Sequence, residues 1–367
     1  VTLLDVATAK EFSARHARKG TRRRYDDRSG YPNGIEASRG IAARTSTPSP
    51  APCRETSAPP SYPEPGTLIR PDAVDSLLPR GTAPEQARVV AVHAHPDDET
   101  LASGLALASL AQAGAQVHLI TMTRGERGEV MIPELAHLEV GHPDNHDDGT
   151  ALGAYREGEL AAACRALGVE HHVYAGQSPA LDAQTGFPGG GDRFMDSGMS
   201  WGPDGRAQPA EDVSPKALTA AGVDQAAAHV AAALREIRPH AVLSYDDDGG
   251  YGHPDHVRTA RVLARALELL EDASGAEPAL RPLAWAIEGQ PDPQDERPQA
   301  VVRADEASRA ARHAAMRAHA TQIETGDDPA NPRYELSNRV PQTMPQAETF
   351  RLIGGDAARL APREPAR

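Results

Sequence analysis

Past residue 85, apolar positions fall into two alternating rhythms. Residues 88–93 (Arg-Val-Val-Ala-Val-His) form a nearly continuous apolar run, the pattern of a parallel strand covered on both faces. Residues 101–113 place Leu101, Leu105, Ala108 and Leu110 on one side and predict a helix that Gly114 ends as a left-handed residue. Residues 116–121 predict a second strand, 151–167 a helix stopped by Gly168, and 169–175 a third strand. After a Gly-, Asp- and Pro-rich excursion to about Pro215, the pattern gives a helix over 221–237 and a fourth strand over 241–245. Helices are predicted over 257–271 and 305–321 and a short strand over 285–287, while the end of the chain is weakly patterned. The polar stretch 124–149 has no period and joins a strand to a helix, the kind of loop that lines a site.

Strands alternating with helices predict an α/β fold, a Rossmann-like and mostly parallel sheet with helices on both faces. Ligands of such sheets bind beyond the carboxyl ends of strands, where the strand order reverses, and here that makes the first and fourth strands neighbours. Residues 1–85 carry Arg22-Arg23-Arg24 and prolines at 48, 50, 52, 59, 60 and 63, with few aromatic or β-branched residues in any periodic order. Such a stretch cannot bury enough apolar surface to offset its conformational entropy, so a disordered extension is expected ahead of one domain over 86–367.

Charge narrows the ligand. The first 80 residues carry 13 Lys and Arg against 9 Asp and Glu, so the net charge of -14 belongs to the remainder. An acidic surface argues against nucleic acid and favours a neutral or cationic small molecule. Two cysteines, Cys53 and Cys164, provide neither a disulfide framework nor a cysteine-rich metal site, and a reducing cytoplasm is the expected compartment. No apolar run is long enough for a membrane span, and residues 1–9 lack the charged-then-apolar order of a secretory signal.

Two clusters repeat one grammar of strand, polar turn and helix: Ala94-His95-Pro96-Asp97-Asp98-Glu99, and Tyr245 followed by 246–252 and His253-Pro254-Asp255-His256. Either alone would pass as a helix cap; both at matching corners point to one site. His95, Asp98 and His256 would give a divalent metal two nitrogens, one carboxylate and an open position, the catalytic zinc pattern. Asp97 is left as general base, then acid to a leaving amine. A protonated His253, held charged and oriented by Asp255, would stabilise an oxyanion, and Tyr251 offers a hydroxyl from a glycine-rich turn.

Both motifs resemble the LmbE-like superfamily of zinc-dependent N-acetylglucosaminyl deacetylases, which includes the phosphatidylinositol-linked enzymes. Within it, the run 246–256, the loop Arg193-Phe194-Met195-Asp196-Ser197-Gly198-Met199, residues 153–160 and the late helix ending His319-Ala320-Thr321-Gln322 are most similar to the mycothiol-pathway deacetylases. The similarity runs from about residue 87 to 355. It implies hydrolysis of N-acetylglucosaminyl-inositol to the free amine and acetate, with one zinc per subunit on His95, Asp98 and His256; ferrous iron or cobalt also suits those ligands. Asp97 would be base and acid, and His253 with Tyr251 would steady the oxyanion. Arg156 and Asp196 would hold sugar and inositol hydroxyls, with Glu126 and Met199 lining the pocket. Arg127 departs toward the sister mycothiol S-conjugate amidases, which makes that activity the alternative; a sugar-binding protein without chemistry would require a lost ligand or base, and none is lost.

Overall fold

The computed structural model describes residues 69–70, 72–176, 194–201, 207–274, 281–288, 294–327 and 332–360. The expected runs become β1 (Arg88–His93), β2 (Gln116–Thr121), β3 (His171–Tyr174), β6 (Ala241–Tyr245) and β7 (Leu283–Ile287), mutually parallel in the order β3-β2-β1-β6-β7. The chain moves outward from β1 through β2 and β3 and then returns to the other side of β1, where Val89, Val90 and Ala91 pair with Ala241, Val242 and Leu243. The strand order therefore reverses between β1 and β6, and both His/Asp clusters follow their carboxyl ends.

Alternate residues of these strands feed two cores, as a pleated strand requires. Val89, Ala91, Val117, Leu119, Leu243 and Trp285 face one side, beneath α2 (Gly104–Gln112), α3 (Thr150–Leu167) and α6 (Glu306–Ala318). Val90, Val92, Ile120 and Val242 face the other, beneath α4 (Val223–Ile237) and α5 (Pro254–Ser274). No helix among the described residues is long and apolar enough to cross a membrane.

Three features differ from the sequence expectation. First, the helix expected over 101–113 is two pieces, α1 (Asp98–Leu101) and α2. Polar groups released at the break are taken by distant side chains: Arg312 donates to the carbonyls of Thr100 (2.9 Å) and Leu101 (2.5 Å), and the Glu348 carboxylate accepts from the amides of Leu105 (3.0 Å) and Ala106 (2.8 Å). Second, the weakly patterned end supplies β12 (Ala347–Gly354), antiparallel between β7 and β8 (Gln299–Arg303). Short strands β4 (Met199–Trp201) and β5 (Ala207–Pro209) pair apart from the main sheet, as do β9 (Glu324–Thr325), β10 (Arg333–Glu335) and β11 (Gln342–Thr343).

Third, the extension expected over 1–85 falls outside the described residues only as far as residue 68, along with residue 71. Its last part is packed: Ala73, Val74, Leu77 and Leu78 are buried, Val74 bridges Ala300, and the Leu77 carbonyl accepts from the Trp285 indole (2.9 Å). The folded unit thus starts before residue 86, because this segment pairs with the edge strand β8 and packs its apolar side chains into the core beside Trp285 of β7. Leu77→Ala is expected to cost about 2–5 kcal/mol of unfolding free energy in urea denaturation; a loss below about 0.5 kcal/mol would show that the segment does not dock.

Candidate active site

The first corner is a turn tightened by its own polar groups. The His95 amide donates to Asp98 Oδ2 (2.9 Å), and α1 starts at once from Asp97, whose φ of 112° lies in the left-handed region. A non-glycine residue there stores strain on the order of 1–3 kcal/mol, held only if its surroundings fix it. They do: the Asp97 amide donates to Glu99 Oε2 (3.0 Å), Arg156 meets Asp97 Oδ2 (3.1 Å), and Arg156 also donates to the Pro96 carbonyl.

The second corner is fitted to the first by Tyr245, the last residue of β6. Its hydroxyl accepts from the Ala94 amide (3.0 Å), and its ring stacks on His256 with centroids 4.2 Å apart and planes 10° apart. Gly249 has a φ of +66°, and a Cβ on it would sit 2.8 Å from both His256 Cβ and the Val257 amide nitrogen, so only glycine lets the turn lie against α5. Its carbonyl then meets His256 Nδ1 at 3.2 Å.

These corners converge. Asp98 reaches both imidazoles, Oδ2 lying 3.4 Å from His95 Nδ1 and Oδ1 lying 3.3 Å from His256 Nε2. Ligand atoms of His95, His253 and His256 lie within 4.8 Å of one another, as do those of His95, Asp196 and Asp255. Backbone partners sort the histidines. A carbonyl can only accept, so His256 Nδ1 carries a proton, and Nε2 is the ring nitrogen left facing Asp98. An amide can only donate, so His253 Nδ1, 3.1 Å from the Asp255 amide nitrogen, is an acceptor and the neutral ring has its proton on Nε2. His256 is therefore set up as a ligand and His253 as a donor.

The electrostatics of the site suit a divalent cation. Burial pulls the His95 imidazole down, yet Asp196, Asp255 and Asp98 hold it well above its ordinary value. Burial opposes ionisation of Asp98, but His256 and His95 hold its carboxyl well below the usual range. Asp97, Asp98, Asp196 and Asp255 thus crowd one pocket, where Arg156 is bonded to Asp97, and buried negative charge of this kind suits a divalent ion. Burial pushes the Asp97 carboxyl up to about 6, against the pull of Arg156.

Several expected roles are altered. The His253 imidazole is held well below its ordinary value by burial and by the neighbouring His95 and His256, so it is neutral rather than protonated. The Asp255 carboxylate does not contact that ring; it accepts from the Ser197 amide (2.9 Å) and hydroxyl (2.5 Å) and meets His95 Nε2 (3.2 Å). Arg156, expected to face a polyol, commits its terminal nitrogens to Asp97, the Pro96 carbonyl and the Gly125 carbonyl (2.7 Å). Glu126, expected in the pocket lining, is fully buried, and its Oε2 accepts from the Asp196 amide (3.0 Å).

Asp196 does reach the centre, with Oδ1 3.7 Å from His95 Nε2. Met199 opens β4 and is half-buried, and the Tyr251 ring stands edge-on to His256 at 5.3 Å, its hydroxyl kept protonated by burial. Arg127 turns away to Asp212 (2.6 Å). Arg193 and residues 178–188 lie outside the described residues. Sequence reasoning missed Ser197, which anchors the loop on Asp255, and the buried contact between Glu99 and His319 (2.7 Å). Both sat inside quoted motifs, but their partners are distant in the chain.

A family model described as "PIG-L: GlcNAc-PI de-N-acetylase" matches residues 90–267. A protein of Kineococcus radiotolerans named "1D-myo-inositol 2-acetamido-2-deoxy-alpha-D-glucopyranoside deacetylase" is 41% identical over 302 residues, spanning 74% of this chain and 78% of its own. A Streptomyces avermitilis protein of the same name is 39% identical over 315 residues, spanning 76% and 95%. Among solved structures, the N,N'-diacetylchitobiose deacetylase from Pyrococcus horikoshii is 17% identical, with a TM-score of 0.42 over 64% of this chain and 70% of that one.

The seating of Arg156 is testable apart from any activity. Gly125 has a φ of +66°, and a Cβ there would lie 1.9 Å from Arg156 Nη1, whereas Gly158, exposed on α3, has nothing within 4 Å. Gly125→Ala is expected to cost at least about 2 kcal/mol and Gly158→Ala to add up to about 1 kcal/mol, both read from chemical denaturation. Equal effects would contradict the seating.

Proposed function

The chain belongs to the family of GlcNAc-PI de-N-acetylases, and from that membership and the geometry of the site we propose that it hydrolyses the N-acetyl group of N-acetylglucosaminyl-inositol, releasing acetate and the free amine. The observation that carries this is the bridging of His95 and His256, from opposite corners of the sheet reversal, by the carboxylate of Asp98.

In this reading His95, Asp98 and His256 hold one divalent ion, zinc by preference, since two imidazoles and a carboxylate with an open position match its catalytic sites. When bound, the ion supplies Lewis acidity: it makes attacking water acidic near neutrality and draws charge onto the amide oxygen. Asp97 takes the water proton and returns it to the leaving nitrogen, and a carboxyl lifted to about 6 suits both transfers. Arg156 keeps that carboxylate aimed, being bonded to its Oδ2. His253 donates from Nε2 as a neutral imidazole, so it steadies an oxyanion without first gaining a proton. Tyr251 adds a hydroxyl. Asp196, with Met199 beside it on the same segment, faces the sugar and inositol hydroxyls, and Asp255 holds that segment through Ser197. Arg127 is bonded to Asp212, and the relatives that match are named as deacetylases, which favours deacetylation over the amidase alternative.

The zinc-loaded chain is expected to release acetate from N-acetylglucosaminyl-inositol, to stop on chelation and to recover with zinc. Absence of acetate from the loaded chain would end this reading. Asp97→Asn should lower kcat by about 10²–10⁴-fold while the protein keeps its ion. A base must be unprotonated to act, so wild-type kcat should fall as pH drops through about 6, and the residual rate of Asp97→Asn should lack that limb. A wild-type rate in the variant would remove Asp97 from the mechanism.

A further inference from the structure

One buried pair near the site has no part in the chemistry so far. Glu99 and His319 are both fully buried and stand 220 positions apart in the chain. Glu99 Oε1 meets His319 Nε2 at 2.7 Å and accepts from the Thr100 hydroxyl at 2.5 Å; its other oxygen, Oε2, accepts from the Asp97 amide at 3.0 Å. His319 ends α6, and its own carbonyl accepts from the Gln322 (2.9 Å) and Ile323 (2.8 Å) amides, so the imidazole projects from a fixed backbone.

The Pro96–Asp97 peptide is therefore gripped at both polar ends, its N–H by Glu99 and its C=O by Arg156. Asp97 needs such a grip, because its φ of 112° is one that an aspartate leaves when it is not held. Arg156 fixes the carbonyl and the carboxylate from the α3 side; Glu99 fixes the amide from beneath, and Glu99 is in turn fixed by His319. We propose that Glu99 and His319 are positioning residues for the base, with α6 holding the left-handed peptide from which Asp97 projects. This rests on Asp97 acting as the base.

The ring geometry supplies the test. Glutamine at 319 carries its amide nitrogen at the reach of Nε2, which bonds Glu99; asparagine carries it at the reach of Nδ1, which has no hydrogen-bond partner. With the zinc-loaded full chain and N-acetylglucosaminyl-inositol, His319→Asn should lower kcat about ten- to a hundredfold, with KM within about twofold and bound zinc unchanged. His319→Gln should recover to within a few-fold of wild type. On the Asp97→Asn background, His319→Asn should change the residual rate little, because the positioned group is already gone. Equal kcat in the Gln and Asn variants, or an undiminished effect of His319→Asn without the base, would overturn the proposal.

The Asp97 amide gives a reading free of turnover. Its proton should be downfield and slow to exchange in wild type and His319→Gln, and should lose both features in His319→Asn. If wild type released no acetate, the functional reading would fail alone, and this amide would still decide the pair: matching exchange in the two variants would refute it.

Discussion

Everything at this site depends on the pairing of β1 with β6. Three register pairs, Val89 with Ala241 through Ala91 with Leu243, fix two strand ends side by side, and the turns that follow have nowhere to go but toward each other. The result is costly in isolation, since carboxylates from both turns and from the 194–199 segment are taken out of water together. That cost is the physical ground for the divalent cation proposed there. Burial lifts the Asp97 carboxyl toward neutrality, whereas His256 and His95 hold Asp98 ionised against the same burial.

Backbone groups then distribute the roles. His253 immediately precedes α5 and His256 lies in its first turn, with rings 4.8 Å apart, and side-chain chemistry alone gives no reason to treat them differently. The difference is that one Nδ1 faces an amide and the other a carbonyl, so Nδ1 accepts in His253 and donates in His256. Glycines make this possible: Gly249 lets a carbonyl approach His256, and Gly125 makes room for the guanidinium that steadies the base.

The parts legible in the sequence were those set by local pattern. Five parallel strands announced themselves as short apolar runs, and the two His/Asp clusters stood at strand ends where the parallel topology must bring them together. What escaped was set by partners far along the chain. The break before Gly104 depends on Arg312 and Glu348 collecting the exposed backbone groups, and nothing in residues 98–113 encodes those partners. β12 was missed because only its centre alternates cleanly and its neighbours are antiparallel. Arg156 and Glu126 were expected to face substrate and Asp255 to hold His253, and the sequence could not say that they instead hold the Asp97 turn, the Asp196 amide and Ser197. The protonated state expected of His253 failed for a similar reason, since burial among other imidazoles outweighs its ordinary tendency to charge.

The central claim is that His95, Asp98 and His256 share one ion while His253 stands beside it as a donor. Anomalous diffraction from crystals of the zinc-loaded chain tests this most directly, because it locates the metal independently of any assumed chemistry. The account predicts one anomalous peak coordinated by those three side chains, with His253 Nε2 outside the coordination sphere. A peak coordinated by all three imidazoles, or one lying away from the β1–β6 reversal, would contradict it.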